Sequence, residues 1–156
     1  NTLNVTARSG IDTKGTLIST VKLVGTGYAD TRLRRNFIYR PQDQWKQEFE
    51  TMVRDISPAG VLVKWHVGDL ENLNKPVVLT FSYRVDNWAL AGARRVAMRV
   101  PMASPLFSSN HRFSPFLLAT KEKKRKTPIW FWATWTYRSH EELTLPPGVR
   151  LNKALK

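Results

Sequence analysis

At 156 residues and 42% hydrophobic, the chain is the size of one ordinary domain and can bury a core without covalent staples. It contains no cysteine, which excludes disulfides, thiolate metal sites and a cysteine nucleophile by inventory. The formal charge of +13 suggests an anionic partner such as nucleic acid, anionic lipid or an acidic polymer, and the apolar runs fall well short of the ~20 residues of a membrane-spanning helix.

The chain opens as a hairpin. "LNVTAR" and "TLISTVKLVG" flank a turn over Ser9–Gly15, and Leu17, Val21 and Leu23 share one face of a period-2 pattern. The first residues, "NTLNVTARSG", lack a basic n-region followed by an apolar h-region, so any export signal is expected to lie further upstream or to have been removed. Two consecutive helices follow. "ADTRLRRNFIY" spaces Leu33 and Phe37 four apart, and "RPQDQWKQEFETMVRDI" sets Trp45, Phe49, Met52, Val53 and Ile56 in one apolar stripe, with Pro41 in the first turn and Ser57-Pro58-Ala59-Gly60 as the stop.

From Val61 the period returns to two. "VLVKWHV" is expected to send Val61, Val63, Trp65 and Val67 to one side and Lys64 and His66 to the other. After the surface link "GDLENLNKP", "VVLTFSYRV" alternates Val77, Leu79, Phe81, Tyr83 and Val85 against Thr80, Ser82 and Arg84, as a strand with one solvated face should. Further strands are expected at "RVAMRVPM", "IWFWATWTY", "EELTLP" and near "VRLN", with a looser stretch from Ala103 to Thr120. The expected fold is α+β: a mainly antiparallel sheet of about seven or eight strands, open to a sandwich-like arrangement, with two consecutive helices packed on it. Residues 1–156 read as a single domain, with no internal repeat and no dividing linker.

Catalytic constellations are thin. His66, His111 and His140 stand far apart without HExxH-type spacing, and Glu141 and Glu142 are neighbours on a strand, so they point to opposite faces. GxGxxG, P-loop and GxSxG patterns are missing. The expectation is a chain without catalysis of its own, with no metal and no cofactor.

Charge and aromatics concentrate late. Residues 121–156 carry 9 cations against 3 anions, and "KEKKRKTPIWFWATWTYR" runs Lys121, Lys123, Lys124, Arg125 and Lys126 into an aromatic strand. Cations beside exposed rings are what a single-stranded nucleic-acid binder uses, each stacked base contributing roughly 1–3 kcal/mol. The same stretch also reads as a solvated loop entering a structural strand. On that reading Phe131 and Trp135 face Trp45, Phe49 and Met52, while Trp130 and Trp132 lie on the other side, at a seam toward a neighbouring domain. Lys121, Lys123, Lys124, Arg125, Lys126, Trp130 and Trp132 are thus the candidate partner or ligand surface.

"KRKTPIWFWATWTYRSHEELTLPPGVRL" resembles the basic residues, Thr/Tyr-Pro, short strand, polar strand and "LP-x-G" turn of the domain of unknown function that follows the transglutaminase-like core in bacterial transglutaminase-associated proteins. "DTKGTLISTVKLVGTGYADTRLRRNFI" is similar to that domain's opening, and "NKPVVLTFSYRVDNWA" to its central strand. Arg125, Pro128 and the Leu145-Pro146-Pro147-Gly148 turn are the most particular matches; the tryptophans at 130, 132 and 135 depart from the less aromatic pattern of the family. The resemblance implies a non-catalytic, C-terminal accessory module of an exported bacterial protein, at the periplasm or cell surface. Its partner would be the neighbouring domain, which carries the papain-like cysteine, histidine and aspartate, with the basic C-terminal region facing an anionic surface. The alternative is a basic, aromatic-rich module that binds nucleic acid or carbohydrate.

Overall fold

The computed structural model describes residues 1–91, 96–103, 134 and 136–149. Strands β1 (Thr2–Ile11) and β2 (Leu17–Thr26) form the expected hairpin, in register from Thr2 opposite Thr26 to Ile11 opposite Leu17. The first strand runs on to Ile11, into the expected turn, because the turn is tighter, while β2 is shifted by one residue and keeps the expected length. The Asp12 carboxylate accepts the backbone N–H groups of Lys14 and Thr16, at 2.8 Å each, and closes the loop within a few residues. Gly25 then lets the end of β2 touch the helix that follows: a Cβ there would lie 2.5 Å from the Asp30 nitrogen.

Helix α1 (Tyr28–Ile38) buries Ala29, Leu33, Arg34 and Phe37. Pro41, in extended conformation, separates it from a 3-10 turn at Gln42–Gln44 and from α2 (Trp45–Ile56), which buries Phe49, Met52, Val53 and Ile56. The second helix therefore starts at Trp45, the first residue of its apolar stripe, and Pro41, expected in its first turn, lies before it because its ψ of 143° is extended rather than helical.

Strands β3 (Gly60–Val67) and β4 (Val78–Val85) complete the antiparallel part of the sheet, and β7 (Thr136–Thr144) closes it. Between them, β5 (Leu90–Ala91) and β6 (Val96–Ala97) pair over two residues, followed by a 3-10 turn at Pro101–Ala103. The strand order is β3-β4-β2-β1-β7, antiparallel throughout except for β7, which runs parallel to β1.

The fold class is α+β, with three corrections. Among the described residues there is one five-stranded mixed sheet rather than seven or eight strands, and it is no sandwich, because the layer facing its core side is made of helices. The continuous strand expected at "RVAMRVPM" is a two-residue ladder and a 3-10 turn. "TYRSHEELT" is one nine-residue strand where two were expected, its polar middle being tolerated because its side chains are mostly exposed and, among the described residues, β7 is the edge of the sheet.

A fourth correction concerns β3. Its pairing with β4 shifts between Leu62 and Lys64, so Leu62, Trp65 and Val67 pack toward the core while Val61 and Val63 are exposed. One extra residue in a bulge reverses which side chains turn inward.

Odd-numbered residues of β1, β2 and β4 face α1 and α2, and the core lies between these two layers. At its centre Phe49 meets Phe37, Trp65 and Phe81, with ring centroids 5.2, 5.6 and 5.8 Å away. At its margin the buried Arg34 staples the link between β3 and β4. Its Nε donates to Asp30 Oδ2 at 2.7 Å, and its two terminal nitrogens donate to the carbonyls of Asp69, Leu70, Asn72 and Lys75 at 2.6–3.2 Å. The other Asp30 oxygen accepts the Val77 N–H at 2.7 Å. Among the described residues, no helix is long and apolar enough to cross a membrane.

Candidate interaction surface

Both helices lie on one side of the sheet, so the alternate residues of every strand form a second, open face. The registers arrange it in rows. One row runs His66, Thr80, Lys22, Thr6, His140 from β3 to β7; the next runs Lys64, Ser82, Thr20, Arg8, Glu142. Four inter-strand steps of about 4.8 Å make the platform about 19 Å wide. Its middle is flat, because Thr6, Thr20, Thr80 and Ser82 are short and the Thr20 and Ser82 hydroxyls hydrogen-bond across strands at 2.8 Å.

Its charge is mainly positive. Arg8 is held by Glu142 at 3.1 Å and Arg84 by Asp86 at 2.8 Å, both pairs well exposed. Lys22, Lys64 and Arg138 project from the same face without an ion pair among the described residues. No Phe, Tyr or Trp projects from it in β1, β2, β3, β4 or β7, because the described strand aromatics Trp65, Phe81, Tyr83 and Tyr137 occupy core-side positions.

On the core side, a polar chain crosses the strands near the far end of the hairpin. The Ser9 hydroxyl is 2.6 Å from Glu141 Oε1 and 2.8 Å from the Ser19 hydroxyl, and the other Glu141 oxygen accepts the Met102 N–H at 3.1 Å. Glu141 and Glu142 thus do point to opposite faces, one to Ser9 and one to Arg8. Next in line, opposite Ser19, the fully buried Tyr83 hydroxyl has no hydrogen-bond partner. Burial pushes its pKa up to about 12; the nearby Ser19 hydroxyl, not placed for a proper hydrogen bond, eases this slightly, and the Glu141 charge adds to it.

Tyr83→Phe should therefore be neutral or stabilising by up to about 1 kcal/mol near pH 7, since it removes a buried group that has no partner. A phenol whose pKa is higher folded than unfolded contributes stability below pH 10 that is lost as pH rises through about 12. Urea melts at pH 8 and pH 11 should show a smaller alkaline loss for the variant than for the wild type. Equal losses would mean that the hydroxyl is solvated.

A cavity of about 540 Å³ opens elsewhere, between the α1–α2 connection and the β3–β4 link, lined by Arg40, Gln42, Trp45, Asp69 and Glu71 among others. It holds no constellation of catalytic type, and no group of three or more His, Asp or Glu side chains is placed to hold a metal among the described residues.

The candidate residues Lys121, Lys123, Lys124, Arg125, Lys126, Trp130 and Trp132 lie outside the described residues, as do Phe131 and Trp135. The stripe expected to meet Phe131 and Trp135 has other described partners: Trp45 packs against Phe37 and Trp65, and Phe49 against Phe37, Trp65 and Phe81. The sequence reading expected a solvated strand face at Thr80, Ser82 and Arg84 but did not single out the open face as a contact surface. Its signal was present in the polar members of the period-2 strands, Lys22 within "TVKLV" and Thr80, Ser82 and Arg84 within "LTFSYRV". Compared with known proteins, the chain matches no family model, no curated protein and no solved structure.

Proposed function

We propose that this chain is a non-catalytic interaction module and that the open sheet face is its contact surface. The supporting observation is a broad, flat, solvent-exposed platform on which Lys22, Lys64 and Arg138 project without an ion pair among the described residues. Desolvated contact with complementary charge both steers association and fixes orientation. The sequence resemblance supplies the setting: an accessory domain beside a transglutaminase-like, papain-type catalytic domain in an exported bacterial protein, with that domain as the partner.

The competing reading is a nucleic-acid module. The open face could meet phosphates, but it carries no Phe, Tyr or Trp among the described residues on which a base would stack. The two readings separate in one titration series. With the upstream domain as partner, Lys22→Glu combined with Lys64→Glu should weaken binding about tenfold or more, equivalent to about 1.4 kcal/mol. With single-stranded oligonucleotide, a nucleic-acid module should show a log–log salt slope near −0.7 per phosphate contact. A steep slope, with no affinity for the upstream domain, would overturn the proposal.

A further inference from the structure

One end of the open face differs from the rest. There the row reads Val61, Arg84, Ile18, Gly10, Thr144 from β3 to β7. Ile18 is 56% exposed, Val61 62% and Val63 65%, three β-branched apolar side chains at one end of a hydrophilic platform, with Arg84, itself paired to Asp86, standing between Val61 on β3 and Ile18 on β2. Beside Ile18 on β1 stands Gly10, and a Cβ there would meet nothing within 4 Å, so Ile18 borders a shallow step rather than a neighbouring side chain. Lys64 and Lys22 stand one and two rows away.

We infer that this corner is the anchor of the contact surface, and that it receives an apolar residue carried on an acidic segment of a partner protein. The inference rests on the interaction-module reading and names the chemistry of the partner. Two observations choose that occupant. The cations are spread over two dimensions, on β3, β2 and β7 in different rows, which suits a protein surface better than a single linear polyanion. The exposed valines and isoleucine add apolar contacts at one end of the face, beside Arg84 and the lysine-bearing rows, and apolar contact flanked by polar groups is the usual anatomy of a protein–protein contact. Strand addition to the outer side of β3, an edge among the described residues, is the weaker route to the same residues, because the bulge between Leu62 and Lys64 interrupts the ladder that an added strand would need.

The test uses the full chain and three labelled probes in fluorescence anisotropy: a twelve-residue peptide of glutamates with two central leucines, an all-glutamate peptide of equal charge, and a twelve-residue oligothymidylate. The leucine-bearing peptide should bind at least about tenfold tighter than the all-glutamate one. Ile18→Thr with Val61→Thr, which keep β-branched residues in both strands, should abolish that preference while leaving the thermal midpoint unchanged. Equal binding of the two peptides to the wild type, or a preference that survives the double substitution, overturns the anchor and leaves a charge-only surface. Tighter binding of the oligothymidylate overturns the choice of a protein partner. Failure of all three probes to bind overturns the interaction-module reading together with the anchor.

Discussion

Replacing Arg34 with methionine should lower the unfolding free energy by about 3–5 kcal/mol, the range for breaking a buried ion pair from one side. The guanidinium uses all five of its N–H groups, one on Asp30 and four on carbonyls of the β3–β4 link. Methionine fills similar space but leaves a partly buried carboxylate and four carbonyls without their donor. Lysine should recover only part of the loss, because a single ammonium cannot reproduce the planar fork that spans Asp69 to Lys75. Denaturant melts with unchanged m-values would give these numbers. A loss under about 1 kcal/mol for Arg34→Met would mean that the link keeps its own shape, through the Asp69 carboxylate that accepts the N–H groups of Glu71 and Asn72.

Phe49→Ala should cost about 3–5 kcal/mol as well, by a different mechanism. Phe49 is fully buried at the point where α2, α1, β3 and β4 converge, and its removal opens a cavity among Phe37, Trp65 and Phe81. Phe49→Leu keeps most of the volume and should cost less than about 1.5 kcal/mol. The contrast with the open face is informative, since Val63→Ala should change stability by no more than about 0.5 kcal/mol. Thermal and urea melts of the three variants check the ordering. A Val63→Ala loss comparable to that of Phe49→Ala would place Val63 in the core and remove the apolar corner from the solvent-exposed face.

Local patterning made much of this architecture legible. The apolar alternation in β2 and β4 and the 3.6-residue stripe of α2 each report which side of an element is buried, and each side found there is the one the pattern indicates. The features that escaped are those set by chain geometry or distant pairing. Nothing in "VLVKWHV" announces the bulge that turns Val61 and Val63 outward, because both registers offer an apolar set. The parallel union of β7 with β1 joins residues more than 130 positions apart, so neither the Ser9–Glu141 hydrogen bond nor the Arg8–Glu142 pair has a local signature. Arg34 reads as one of several arginines on an amphipathic helix; only the close packing of the β3–β4 link against α1 makes it interior. For the site, composition indicated an anionic partner, but the dense run at 121–126 is a local signal, whereas Lys22, Lys64 and Arg138 stand on separate strands and come to one face only through the sheet.

The central claim is that the sheet's open face, and not its helix-covered side, meets the partner. Amide chemical-shift mapping of the full chain on addition of the proposed partner, a transglutaminase-like domain, tests it most directly. The largest changes should fall on Ile18, Thr20, Lys22, Val61, Lys64 and Ser82, with α1 and α2 nearly silent. Changes concentrated on α1, α2 or the cavity around Trp45, with the open face unaffected, would contradict it.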